Sequence, residues 1–112
     1  MEEEFSCKPY VTSDKFLENR VQVYDYGIQT FDYFQAERYD QKIEKAIETL
    51  SDWYTAYPEC RHIPTKSRMY RNIILDTHLI IYRITDQRIE ILDIVHSASS
   101  ISKIRSTRKI RI

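Results

Sequence analysis

Apolar positions recur along this chain with two different periods, and the change of period divides it. From residue 13 to about 57 they follow helical steps; from 68 to 95 they gather in short β-branched runs. Leu17, Val21, Tyr24 and Ile28 are separated by steps of four, three and four, which predicts one face of a helix over about 13–30. Ser13 is a ready N-cap, and Asp14 sits well in a first turn. Gly27 predicts the stop of this helix. Ala36, Tyr39, Ile43, Ala46, Ile47, Leu50, Trp53, Tyr54 and Tyr57 keep helical spacing, with Glu37, Asp40, Lys42, Glu44, Lys45 and Glu48 opposite them. That pattern predicts a single second helix over 34–57, ended by Pro58, which cannot donate a helix hydrogen bond. The link at Phe31–Phe34 is short, so the two helices form an antiparallel hairpin.

Phe5–Val11 reads as a first strand, which Pro9 confines to an edge or an end. Three further strands are predicted in RMYRNIILD (68–76), HLIIYRIT (78–85) and RIEILDIV (88–95), joined by short links at Asp76-Thr77 and Asp86-Gln87. The order strand, helix, helix, strand, strand, strand gives an α+β domain: an N-terminal helical hairpin packed on a small antiparallel sheet. A turn centred on Asp86-Gln87 pairs Ile84 with Ile89, Arg83 with Glu90, Tyr82 with Ile91 and Ile81 with Leu92. One face then holds Ile80, Tyr82, Ile84, Ile89 and Ile91; the other holds Leu79, Ile81, Leu92 and Ile94. Both faces are apolar, so the second must be covered or bind a partner.

At 112 residues, with one Gly and three Pro, the chain is a single domain over 1–112 without linkers. The MEEEF start predicts no export signal, and no apolar run approaches a membrane span, so a cytoplasmic protein is expected. Cys7 and Cys60 have no ligand spacing and read as reduced thiols. The net charge of zero hides an asymmetry: residues 1–60 carry 13 acids and 6 bases, whereas residues 61–112 carry 4 acids and 11 bases. Either the halves attract each other, or the basic half meets a polyanion. The basic tail, residues 97–112 (SASSISKIRSTRKIRI), does not predict a helix. A solubilising end, an extra edge strand and a phosphate-contacting arm stay open for it.

The polar residues inside the apolar runs each have a structural role available. Tyr82 reads as a core aromatic. Arg83 opposite Glu90 is a cross-strand pair worth a few tenths of a kcal/mol to about 1 kcal/mol. His78 begins a strand, as a cap or surface group. His96 ends one, where side chains face clefts. There is no Gly-rich phosphate loop and no metal-ligand cluster, so neither cofactor nor metal is expected.

Three stretches together carry a resemblance. VYDYGIQTF followed by QAERYDQKIEKAIETL, then YPECR, then HLIIYRI…RIEILDIVH resemble the RelE/ParE family of bacterial type II toxin–antitoxin toxins, over roughly Tyr10 to Lys103. The resemblance implies an antitoxin partner and one of two activities. The RelE-like branch cleaves messenger RNA on the ribosome; Arg83, His96 and Tyr82 would then be catalytic. The ParE-like branch inhibits DNA gyrase by binding it. Arg71, like Tyr82, Arg83 and His96, matches a position where the family puts basic, catalytic or target-contacting groups. Lys66 and Arg68 lie in a loop and strand start where RNA-cleaving members are often basic. Lys66, Arg68 and Arg71, with Lys103, Arg105 and Arg108 of the tail, are the target-binding candidates. Many members place an Arg soon after the last strand's His, whereas His96 is followed here by SASS. That departure, with the long hairpin and its QAERY motif, favours the ParE-like branch. A ribosome-dependent endonuclease and a non-toxic binding module with the toxin fold are the alternatives.

Overall fold

The computed structural model describes residues 7–112. The elements are β1 (Tyr10–Thr12), α1 (Asp14–Thr30), α2 (Tyr33–Glu48), α3 (Leu50–Trp53), β2 (Tyr70–Ile74), β3 (His78–Ile84), β4 (Ile89–His96) and α4 (Ile101–Ser106), followed by a 3-10 turn at Thr107–Lys109. The α+β order is the expected one, although Phe5 and Ser6 of the predicted first strand lie outside the described residues. The sheet order is β1-β4-β3-β2. β2, β3 and β4 form the antiparallel meander, but β1 runs parallel to β4 (Tyr10↔Ile89, Thr12↔Ile91), so the sheet is mixed. Parallel pairing is possible because a long connection, the helices followed by β2 and β3, separates β1 from β4.

The β3–β4 register holds the predicted pairs Ile84↔Ile89, Arg83↔Glu90 and Tyr82↔Ile91, then shifts: Ile81 opposes Asp93, not Leu92. Leu92 is the extra residue of a bulge. Three groups hold it there. The Ser13 hydroxyl donates to the Leu92 carbonyl, and the Ser13 N–H donates to the Ile91 carbonyl at 3.0 Å. Asp93 Oδ1 accepts from Asn19 Nδ2 at 2.7 Å and from the Ile94 N–H at 2.8 Å. One inserted residue exchanges the faces beyond it. Ile94 therefore packs on the helix side, with Phe16, Ile43, Ile47 and Ile80, and not with Leu79 and Ile81 as predicted.

The helices differ from expectation in phase and in length. Ser13 caps α1 as predicted, accepting from the Phe16 N–H at 2.9 Å. Yet Phe16 is the residue fully buried, while Leu17, Val21 and Ile28 are 48%, 58% and 39% exposed. The inward face is Phe16, Arg20, Val23 and Gly27, one residue behind the predicted stripe. Arg20 reaches Asp40 and Glu44 of α2 at 2.8 and 2.9 Å. Gly27 does not end α1; a Cβ there would lie 3.2 Å from the Ala36 Cβ, so the missing side chain permits the close approach of α1 and α2. α2 stops at Glu48 and not near residue 57. The Thr49 hydroxyl donates back to the Ala46 carbonyl at 2.7 Å, a local bond that competes with continuing the helix. Tyr54 and Tyr57 still reach the core from the following turns.

The second face of the sheet is covered by the chain itself. Cys60 and Ile63 from the 58–69 connection and Ile104 from α4 pack on Ile81 and Val95. The tail is thus a short helix and a 3-10 turn, not an extended or frayed end. Ser100 caps α4 through the Lys103 N–H at 3.1 Å, and Ile104 and Thr107 are buried. A six-residue helix is unstable alone, so this burial is what forms it. Cys7 is exposed, Cys60 is buried, and both are free.

Burial holds the Asp93 carboxyl above its ordinary pKa despite the Asn19 and Ile94 hydrogen bonds. The ionised form therefore costs stability at neutral pH, and the cost fades as pH falls through the folded-state pKa. Asp93→Asn keeps an acceptor oxygen without the charge. It should leave stability unchanged or raise it by up to about 1 kcal/mol, whereas Asp93→Leu should lose about 1–3 kcal/mol. Urea titration of both variants at pH 7 checks this.

Candidate functional site

Two polar clusters occupy this sheet, one on the back face and one at its end. On the back face, Arg83 and Glu90 are cross-strand neighbours with contacts of 2.6 and 2.7 Å. Their side chains are only 13% and 10% exposed, with Glu90 buried and Arg83 half-buried, so the pair is shielded from most solvent. Arg88 approaches the other carboxylate oxygen at 2.9 Å. Burial alone would raise the Glu90 pKa, but the hydrogen bonds and charges of Arg83 and Arg88 hold it below its ordinary value. The remaining Arg83 donors are used within the chain. Nη1 reaches the Tyr70 hydroxyl at 3.3 Å and the Arg108 carbonyl at 3.4 Å; Nη2 reaches the Ile110 carbonyl at 3.2 Å. This guanidinium pins the tail to the sheet.

Tyr82 points to the opposite face and is fully buried. Its hydroxyl donates to the Tyr54 carbonyl at 2.7 Å, and burial pushes its pKa up. Arg71 donates through Nη1 to the Thr55 and Tyr57 carbonyls, both at 2.9 Å, tying the turns after α3 to β2. Lys66 is exposed; so is Arg68, whose φ of 55° lies in the left-handed region.

At the sheet's end, β3 and β4 bring His78 directly opposite His96, with ring centroids 5.4 Å apart. The bulge makes this pairing: the unshifted register would set His78 against Val95. His78 Nδ1 lies 2.9 Å from both the Tyr39 hydroxyl and the Thr77 hydroxyl. The Thr77 N–H donates to the Tyr39 oxygen at 3.4 Å, leaving the tyrosine hydrogen free for Nδ1. A neutral His78 that accepts from these hydroxyls at Nδ1 carries its proton on Nε2. His96 Nδ1 accepts from the Ala98 N–H at 3.0 Å, which fixes the same tautomer there. Burial, then the neighbouring His96, lowers the His78 pKa.

These rings close one end of a groove of about 670 Å³ between the helical hairpin and β4. Val23, Gly27, Ala36, Ile43 and Ile94 form its apolar wall; Arg38, Lys42 and Lys103 bring positive charge to its lining. Two imidazoles and the Arg38 and Lys103 cations beside an apolar wall suit a peptide segment that combines apolar side chains with carbonyls or carboxylates, while Lys42 is paired with Asp76 of the same lining. The groove gathers His96 and Lys103 of the expected residues. Tyr82 and Arg83 are not among its lining residues, so the three RelE-like candidates do not converge on one cavity. Arg105 and Arg108 lie instead on the outer side of the tail, around a shallow hollow of about 440 Å³. Tyr39, which the spacing set on the inner face of the second helix, and His78, which read as a cap or surface group, join the site here. Only the bulge reveals them, because it sets the His–His register.

The comparisons agree with this architecture. Curated protein sequences give no match. A chain of the chromosomal ParDE toxin–antitoxin system from P. aeruginosa has the same fold, with a TM-score of 0.67 at 16% identity over 81% of this chain and 97% of that one. The family model for the ParE toxin of the type II toxin–antitoxin system parDE matches residues 10–101. That match spans both helices, the whole sheet and the histidine pair, and by it this chain belongs to the ParE toxin family.

Proposed function

We propose that this protein inhibits DNA gyrase by binding it and is held silent by a cognate antitoxin. The family match over residues 10–101 carries the reading. The geometry supports binding over RNA cleavage. A nuclease needs a cation and a general acid or base aimed at one phosphate. Here Arg83 spends its donors inside the chain, Tyr82 is sealed in the core, and His96 stands at the far end of its strand. The groove beside His78 and His96 is the antitoxin's seat in this reading. An antitoxin segment there, continued over the exposed stripe of α1, would form an interface above about 1,000 Å².

One observation favours ribosome-dependent mRNA cleavage as the second reading: the His78–His96 pair lies beside Tyr39 and Lys103 in one groove. Controlled induction of the chain separates the two. Gyrase inhibition should raise a DNA-damage response while bulk translation continues at first, and His96→Ala should keep its toxicity. The purified chain should block supercoiling by gyrase. Cleavage of ribosome-bound mRNA that drops by roughly 10² to 10³ in His96→Ala would establish the nuclease instead. A harmless chain that no antitoxin binds would support a non-toxic binding module.

A further inference from the structure

The acids and bases of this chain are unevenly divided between its two halves. The hairpin side belongs to the acidic first half. The back side is covered by the 58–69 connection, with Arg61, Lys66 and Arg68, and by the tail, with Arg105, Arg108, Lys109 and Arg111, while Lys103 lines the groove on the hairpin side. Residues 94–112 contain no acid. Among the described residues, the ion pairs do not join carboxylates of the acidic half to cations of the basic half. Arg20 pairs within the hairpin, with Asp40 and Glu44; Arg83 and Arg88 pair within the β3–β4 hairpin, with Glu90. Lys42–Asp76 does join the halves, but its base comes from the acidic half. Among the described residues, no side chain of the five tail cations has an acidic partner in an ion pair.

The tail holds those cations on a fixed frame. Ser100 caps α4, Ile104 and Thr107 are buried, and Arg83 grips the Arg108 and Ile110 carbonyls. Little ordering is left to be done on binding. Arg105, Arg108 and Lys109 surround the outer hollow together with the hydroxyl-bearing Ser102 and Ser106. Guanidinium forks, an ammonium and hydroxyls are the groups that contact phosphate oxygens.

A partner for this surface must be a polyanion. Single strands are held largely by stacking on aromatic side chains. Among the described residues, the strongly exposed aromatic rings are Tyr26, Phe31, Tyr33 and Phe34 around the hairpin tip and Trp53 in α3; the tail has no aromatic residue. An acidic protein would equally want aromatic anchors at its hot spots. We infer that the C-terminal element, centred on Arg105, Arg108 and Lys109, binds the phosphate backbone of double-helical DNA without reading sequence. The choice of DNA over an RNA duplex rests on the gyrase reading, since gyrase works on DNA.

The purified full chain, titrated against a labelled DNA duplex of arbitrary sequence and followed by anisotropy, tests this without gyrase present. With the four outward tail cations engaged, affinity should fall roughly 150-fold between 50 and 200 mM salt; with Arg105→Ser, Arg108→Ser and Lys109→Ser combined, it should fall only about 3.5-fold and start weaker. All three positions are exposed, so the variant should keep the wild-type thermal midpoint. Lys15→Ser with Lys45→Ser, exposed on the hairpin side, should leave DNA binding unchanged. Equal binding by the triple variant, or a stronger preference for polyglutamate or for an RNA duplex, overturns the inference. DNA binding with the expected salt slope but no inhibition of gyrase would remove the gyrase reading alone. Inhibition without DNA binding would remove this inference alone.

Discussion

Glu90→Ala should destabilise the domain by about 3–5 kcal/mol, the range for breaking a buried ion pair by removing one partner. Glu90 is the hub of a cluster. One carboxylate oxygen meets Arg83 and the other meets Arg88. Without it, Arg83 keeps a side chain only 13% exposed, faced by the Tyr70 hydroxyl and two carbonyls but by no countercharge. Arg88, 38% exposed, can turn to solvent; Arg83 cannot. Arg83→Ala should cost less, because Glu90 retains Arg88, but it should loosen the tail by freeing the Arg108 and Ile110 carbonyls. A shift in the urea midpoint at unchanged slope reads both effects. The pH dependence has a definite sign. The folded-state pKa of Glu90 lies below its ordinary value, so its contribution is present above the ordinary glutamate range, about pH 4.3, and is lost as pH falls through the folded value. The gap between wild type and Glu90→Gln should therefore narrow in acid. A loss below about 1 kcal/mol for Glu90→Ala would mean that the pair behaves as an exposed one, as spacing alone suggested.

The same cluster shows what could be read from the sequence. Arg83 opposite Glu90, Ile84 opposite Ile89 and Tyr82 opposite Ile91 follow from a two-residue turn and strict alternation, and those pairs form. The Ser13 cap and the meander were legible for similar local reasons. The His78–His96 pair was not. It depends on the Leu92 bulge, and the bulge depends on Ser13 and Asn19, more than 70 positions away in the chain. No local pattern reports such a contact. The tail was misread because α4 exists only where Ile104 finds Cys60, Ile63, Ile81 and Val95. The end of α2 was misread because Tyr54 and Tyr57 keep helical spacing after the helix has stopped: they reach the core through turns, and Thr49 makes the break with one side-chain bond. The hairpin and sheet order were therefore open to sequence reasoning, while the groove depends on tertiary contacts.

Phe16→Ala should cost about 3–5 kcal/mol, whereas Leu17→Ala should stay within about 0.5 kcal/mol of wild type. The contrast tests the phase of α1, where periodicity pointed to the wrong stripe. Two candidate stripes lie one residue apart on this helix. Leu17, Val21, Tyr24 and Ile28 are the more apolar and therefore the obvious inner face. The chain instead buries the face of Phe16, Arg20, Val23 and Gly27. A hydrophobic pattern undervalues that face twice. Arg20 hides its stem and satisfies its head on Asp40 and Glu44, and Gly27 contributes an absence that lets Ala36 approach. Phe16 itself is fully buried among Ile43, Ile47, Leu50 and the sheet, so truncation leaves a ring-sized void. Leu17 is nearly half exposed and loses little. Denaturant titration of the two variants decides between the stripes. A larger loss at Leu17 than at Phe16 would rotate α1 by about 100° about its axis. That rotation would withdraw Val23 and Gly27 from the groove wall and Asn19 from Asp93. It would therefore remove one support of the bulge that sets His78 against His96.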